Sequence, residues 1–342
     1  MTTTLAEATR GGVVESVHAG VVVAVDSTGE VVAHAGDPER FAYIRSSAKP
    51  FQAISLVESG AADRFGFTPA ELALCCASHS AEPRHQLAVA AMLAKLGLSE
   101  SALQCGAPLP IDQAESGRIL AGITPKSSLH CDCSGKHTGM LATCLHLGYA
   151  TENYLEPDHP LQVELRRIVG EVCRIDAADL ALAIDGCSVP TFGAPLRAFA
   201  TAYAALAAPE RVSPEAGQRH AAAIDRLRAA MAAHPENVGG AGRLDTDLMC
   251  LSRGEIIAKS GAEGLICLAI PKEGLGVAIR VADGSFRAHP AIVVATLEQL
   301  GIGTPALRDA IVARHSPKIR NHKGIHVGDL RAAFTLVWDA AA

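Results

Sequence analysis

β-branched runs stand at both ends of this chain with helical periodicity between them, and this arrangement limits the fold more than any other feature. Gly20-Val21-Val22-Val23-Ala24-Val25 and Glu30-Val31-Val32-Ala33 flank the turn Asp26-Ser27-Thr28-Gly29, so the pair reads as a hairpin. Late strands are predicted at Glu255–Lys259, Leu265–Ile270 and Gly276–Val281, the last two joined by Pro271-Lys272-Glu273-Gly274. Between these ends, Phe51, Ile54, Leu56 and Val57 recur at helical spacing from near Ser46. Thr68-Pro69-Ala70-Glu71 is a helix start, with Thr68 as N-cap, Pro69 at the first position and Glu71 closing a capping box. Further helices are predicted over Glu82–Leu96, Ser134–Leu147, Pro160–Val172, Pro195–Leu206 and Pro214–Ala233. The ends therefore return to one sheet. The class is α+β, an antiparallel sheet flanked by helices with a helical lobe. Residues 1–342 are expected to form one catalytic unit of two interleaved lobes, the sheet built from both ends and the middle rich in helix.

Composition narrows the function. Aromatic residues are only 4% of the chain, so the core must be aliphatic, and stacking on bases or sugars is not its mode of recognition. A net charge of -6 lacks the basic footprint of a nucleic-acid partner. The longest apolar runs fall far short of the ~20 residues that cross a bilayer, so no membrane partner is expected. Met1–Gly12 carries no apolar h-region, and a cytoplasmic location is expected. Ten cysteines in such a chain are read as reduced core residues, ligands or nucleophiles rather than disulfides.

Two clusters carry chemistry. The first is Ser46-Ser47-Ala48-Lys49, which on a helix sets the Lys49 amine beside the Ser46 hydroxyl. A serine needs a neighbour to take its proton, and a lysine can do so only when burial or a second cation lowers its pKa. Cys76-Ala77-Ser78-His79-Ser80 offers a second serine, and Lys259-Ser260-Gly261 resembles the Lys-Ser/Thr-Gly strand of penicillin-recognising enzymes. The order Ser-x-x-Lys, Ser, Lys-Ser-Gly is that of the serine β-lactamase type of fold. Read alone, Lys259 is an exposed strand lysine and Ser78-His79 a helix end.

The second cluster is His130-Cys131-Asp132-Cys133-Ser134-Gly135-Lys136-His137. Cys133 and His137, four apart, share a helix face and offer the sulfur and nitrogen that zinc prefers. Asp185-Gly186-Cys187 supplies a further thiolate from a loop bounded by Gly and Pro. Buried, reduced cysteines are the plain alternative. Val238-Gly239-Gly240-Ala241-Gly242-Arg243 lacks the Lys-Ser/Thr of a phosphate loop and reads as a turn leading to Asp245 or Thr246 as N-cap.

Taken together, Val14–Gly20, Arg45–Pro50, Ser78–Ser80, Cys133–His137, Asp185–Cys187, Arg243–Thr246 and Lys259–Gly261 resemble the asparaginase II family, the thermolabile, serine- and lysine-dependent L-asparaginases. The resemblance implies a fold similar to serine β-lactamases and glutaminases, and hydrolysis of L-asparagine to L-aspartate and ammonia. By motif match it implies two Ser–Lys pairs, Ser46 with Lys49 and Ser78 with Lys259, and zinc held by Cys133, Lys136 and Cys187. It adds a homodimer as the expected assembly. Ser46 is the expected nucleophile, and Arg45, Glu82 and His137 are candidates for binding the amino-acid end of the substrate. The chain departs from the family pattern at Ala81, at Cys131-Asp132 and at Ser188. A glutaminase differs by one methylene, worth only ~1–3 kcal/mol to a pocket. A β-lactamase or peptidase would share the Ser–Lys order and is separated by one assay with a chromogenic β-lactam. A thiol- or metal-binding module without catalysis would depend on Cys131, Cys133 and Cys187 and not on Ser46.

Overall fold

The computed structural model describes residues 1–210, 217–315 and 318–339. They divide into two compact units, one drawn from Met1–Ser47, Ala194–Val212 and Asp247–Ala342, the other from Ala48–Gly193 and Ser213–Thr246.

The first unit is built on a sheet of nine strands. These are β1 (Thr3–Arg10), β2 (Val13–Val25), β3 (Val31–Ala35), β4 (Ile257–Ser260), β5 (Leu265–Ile270), β6 (Leu275–Val281), β7 (Lys318–Arg320), β8 (His326–Ala332) and β9 (Val337–Trp338). The main order is β7-β8-β1-β2-β6-β5-β4, with β3 on β2 and β9 on β3, and every pairing is antiparallel. The Val-rich β2 is the hub: its first half pairs with β1 and its second half with β3, while β6 lies along its other edge. Val21 to Val25 are fully buried, as an aliphatic core requires. The helix Leu196–Ala207 lies on this sheet, and small residues let it come close. A Cβ on Gly276 would stand 1.9 Å from the Ala200 carbonyl oxygen, so no residue but glycine fits there.

The α+β class and the late strands match the expectation from sequence, Leu265–Ile270 to the residue. Strand β1 was not anticipated. Its threonines favour a strand but its alanines and glutamate do not, and pairing with β2 and β8 along both its edges makes it one.

The second unit is helical. Lys49–Gln52 and Ile54–Glu58 follow a 3₁₀ turn at Arg45–Ala48, and Pro69–Cys75 begins with the capping box Thr68–Glu71 as read from sequence. The helices Pro83–Lys95, Ser134–Leu147 and Pro160–Cys173 also stand where periodicity put them. Part of the expected Pro214–Ala233 helix lies outside the described residues, and the described helix is Gly217–Ala233. Asp245 and Thr246 fall inside the first turn of Leu244–Leu251 rather than at its N-cap, because Thr246 Oγ1 is taken by the Gly240 N–H. At Gly135, an added Cβ would lie 2.4 Å from the Leu74 carbonyl oxygen, which sets how tightly Ser134–Leu147 packs on Pro69–Cys75. Buried His220 is held in this unit between Glu58 (2.6 Å) and Glu171 (2.8 Å).

Candidate active site

In the helical unit the site is assembled by turns. The segment Ser78-His79-Ser80 lies outside any helix or strand, its three N–H groups donating to Val238, Asp132 and Gly239 carbonyls. This gives the Gly-rich run a role that its sequence did not reveal. Gly240 sits at φ 119°, and a Cβ there would come within 2.6 Å of both Ser80 Oγ and a Glu82 carboxylate oxygen. The run therefore clamps the Ser78–Glu82 segment rather than simply leading into a helix.

Lys49 is fully buried, yet its Nζ has a defined set of acceptors. It donates to the Ala77 carbonyl (2.6 Å) and to Ser78 Oγ (2.8 Å), with Asp132 Oδ2 at 3.5 Å. Spacing alone paired Lys49 with Ser46, three residues before it; the structure joins Lys49 to the second serine. Burial by itself lowers the Lys49 pKa, but the nearby Cys133 thiolate and Asp132 outweigh it and hold the amine protonated.

The thiol cluster is also set by local turns. The Ser134 N–H donates to the Cys131 carbonyl (3.0 Å), closing a tight turn at the mouth of the Ser134–Leu147 helix. Cys187 sits on the loop of the hairpin formed by Ala181–Ile184 and Pro190–Pro195. That loop is closed by Asp185 N–H to Val189 and Ser188 N–H to Asp185, with Ser188 at φ 73°. The two segments meet where Lys136 Nζ lies 3.0 Å from Cys187 Sγ. Hydrogen bonds from the Cys131 and Cys187 thiols, with Lys49 and Lys136 nearby, hold Cys133 as a thiolate despite its burial.

The sequence left Lys136 and His137 as rival nitrogens, and their surroundings differ. His137 Nδ1 bonds the Tyr154 hydroxyl (2.7 Å), and burial pushes its pKa well below the usual imidazole range. Two buried thiols are donors that zinc accepts, and the amine could join them only by giving up its proton, which Cys187, Cys133 and Asp185 here hold on Lys136. Asp185 adds negative charge beside Lys136.

Other candidates fall as follows. Glu82 is half-buried, accepts from the Ala241 N–H (2.8 Å) and pairs with Arg84. Arg45 and Ser46 are half-buried in the 3₁₀ turn of the sheet unit, Arg45 with φ 50°. In that unit Ser47 Oγ donates to the Lys259 carbonyl (3.0 Å) and Tyr203 bonds the Ser47 carbonyl (2.9 Å), fixing the turn against β4. Buried Lys259 donates to the Ser260 carbonyl (2.7 Å). Sequence reasoning missed Asp132 as a partner of Lys49, and it missed Arg243, whose guanidinium lies 3.5 Å from the Ser78 carbonyl. Asp132 lies within the flagged cluster and Arg243 ends the Gly-rich run, so both stood next to a visible signal.

A family model described as L-asparaginase II matches residues 6–332. The chain belongs to the L-asparaginase II family. No curated protein sequence matches it. Among solved structures, Mglu in its native form in 4.3 M NaCl aligns at TM-score 0.38 and 15% identity, covering 82% of this chain and 60% of that one. A beta-lactamase from Mycobacterium bovis aligns at TM-score 0.36 and 14% identity, covering 87% of this chain and 95% of that one. The chain thus spans 60% of the length of the Mglu chain. Among the described residues, no helix is long and apolar enough to cross a membrane.

Proposed function

We propose that this L-asparaginase II family member hydrolyses L-asparagine to L-aspartate and ammonia through an acyl-enzyme on Ser46. The observation that carries the reading is the buried bond from Lys49 Nζ to Ser78 Oγ, a lysine and a serine of the motif set already in proton-transfer contact. Ser46 Oγ attacks the side-chain amide carbon and passes its proton to Lys49. Backbone N–H groups, that of Ser46 among them, hold the oxyanion, each worth ~2.7–4 kcal/mol. The amide nitrogen leaves as ammonia after receiving a proton relayed through Ser78, with Lys259 as the second lysine. Water then cleaves the ester to give aspartate and restore Ser46.

Cys133, Lys136 and Cys187 are the proposed zinc ligands. When bound, the metal would neutralise the Cys133 thiolate, part of the charge that keeps Lys49 protonated. Burial of Lys49 favours the neutral amine that a general base requires, and Asp132 at 3.5 Å opposes it. Arg45, Glu82 and His137 remain candidates for the α-ammonium and α-carboxylate. A cytoplasmic homodimer belongs to the same proposal.

Ammonia release from L-asparagine and L-glutamine, by wild type and Ser46→Ala side by side, tests it. Asparagine turnover that vanishes in Ser46→Ala supports both the reaction and the nucleophile. If folded, zinc-supplemented wild type turns over neither amide, the reading fails and a non-catalytic thiol–metal module takes its place.

A further inference from the structure

The turn that opens the Ser134–Leu147 helix carries a thiol with no part in the proposed site. Cys131 is buried, and its Sγ, an Asp132 carboxylate oxygen and Cys133 Sγ lie within 4.8 Å of one another. Asp132 Oδ1 stands 3.9 Å from Cys131 Sγ and 3.6 Å from Cys133 Sγ. The Cys131 and Cys187 thiols are the neighbours that favour a thiolate at Cys133. Lys136 Nζ, at 3.0 Å from Cys187 Sγ, extends the chain of contacts to a fourth donor. The helical unit therefore holds two close pairs of donors, Cys131 with Cys133 and Cys187 with Lys136.

We propose that Cys131 is a third thiolate ligand of the zinc, completing a four-coordinate centre of Cys131, Cys133, Cys187 and Lys136. The inference rests on the reading that Cys133, Lys136 and Cys187 hold the metal. With Zn–S bonds near 2.3 Å, two thiolates on one tetrahedral ion stand about 3.7 Å apart. The Cys131–Cys133 pair, within 4.8 Å, reaches that separation with a shift of about an ångström or less. Ligation releases the Cys131 proton to solvent and gives up its hydrogen bond to the Cys105 carbonyl (3.5 Å). Asp132 is the competing donor: its Oδ2 faces Lys49 at 3.5 Å and its Oδ1 lies beside both thiols, and a centre that used it in place of Cys131 would show two sulfurs instead of three. Three protein ligands leave a zinc with an open position for water, whereas four close it. A fourth ligand makes this a structural centre, in keeping with a serine as nucleophile.

The test counts sulfur. X-ray absorption at the zinc edge of the wild-type holoprotein is expected to give three sulfurs and one lighter atom. In cobalt-substituted protein, the thiolate-to-metal absorption per bound ion is expected to fall by about one third in Cys131→Ser, as in Cys187→Ser, and not in Cys105→Ser. Two sulfurs in the wild type, or unchanged absorption in Cys131→Ser with a loss in Cys187→Ser, overturns the inference and leaves the three-ligand site standing. Failure of the wild type to bind zinc or cobalt overturns both. The wild-type sulfur count decides the matter even if Cys131→Ser does not fold.

Discussion

Gly135→Ala places two opposing effects on one residue. Gly135 is the second residue of its helix, so the advantage of alanine over glycine, about 1 kcal/mol in a helix interior, is an upper bound on what propensity adds. The added Cβ, however, would stand 2.4 Å from the Leu74 carbonyl oxygen and 2.9 Å from its carbon. Backbone atoms cannot step aside as a side chain can, so Ser134–Leu147 and Pro69–Cys75 must part by roughly an ångström to restore contact near 3.5 Å. Overpacking of this kind costs about 1–3 kcal/mol, and a rigid neighbour puts it at the upper end. The net expectation is a loss of about 1–2 kcal/mol, a fall in melting temperature of roughly 2–8 °C for a unit of this size. Gly139→Ala meets Cys75 Sγ at 3.0 Å, a side chain that can give, and should lie near neutral. Gly117→Ala, exposed in the Gln113–Leu120 helix with no atom within 4 Å, should gain up to about 1 kcal/mol. Thermal melts of the three variants followed by far-UV ellipticity give the order. A Gly135→Ala protein at least as stable as wild type refutes the packing argument.

Other expectations are simpler. Lys49→Met keeps the length of the side chain and removes the amine; kcat should fall by about 10²–10⁴ with the fold retained, and a kcat within threefold of wild type would remove Lys49 from the chemistry. Burial lowers the His220 pKa, but its bonds to Glu58 and Glu171 prevail and hold it raised. Its contribution to stability is therefore full below the unfolded imidazole value of about 6.5 and is lost as pH rises through the folded value. Urea midpoints should drop on going alkaline across that range in wild type and stay flatter in His220→Gln; parallel curves count against the pairing. Ser188→Gly relieves an exposed residue at φ 73° and should stabilise by about 0.5–1 kcal/mol, which chemical denaturation can read.

How much of this was legible in the sequence depends on whether a signal was local. Ser134–Leu147 was read to its last residue because helical period runs unbroken to Gly148, which caps it at φ 72°. Leu265–Ile270 is an apolar run bounded by turn residues, and it too was placed correctly. Strand β1 escaped because its neighbours, not its own residues, make it a strand. In the site, spacing put His137 with Cys133, and only the family resemblance put Lys136 there. Adjacent helical residues point about 100° apart, and that Lys136 rather than His137 meets Cys187 is a contact across 51 residues. The Lys49–Ser78 bond spans 29 residues and Arg243–Ser78 spans 165, distances at which periodicity is silent.

The sheet of the first unit has a consequence for how the protein is made. Strand β2 leaves the ribosome some 250 residues before its partner β6, Leu275–Val281, and β1 waits for β8 at His326–Ala332. A hairpin with five consecutive buried aliphatic residues, Val21 to Val25, thus stands with an open edge while some 250 further residues are synthesised. The chain is most exposed to aggregation during its own translation, before its last strands exist. Truncations that remove β8 should therefore collect in the insoluble fraction even when every residue of the Ser–Lys and thiol clusters is intact.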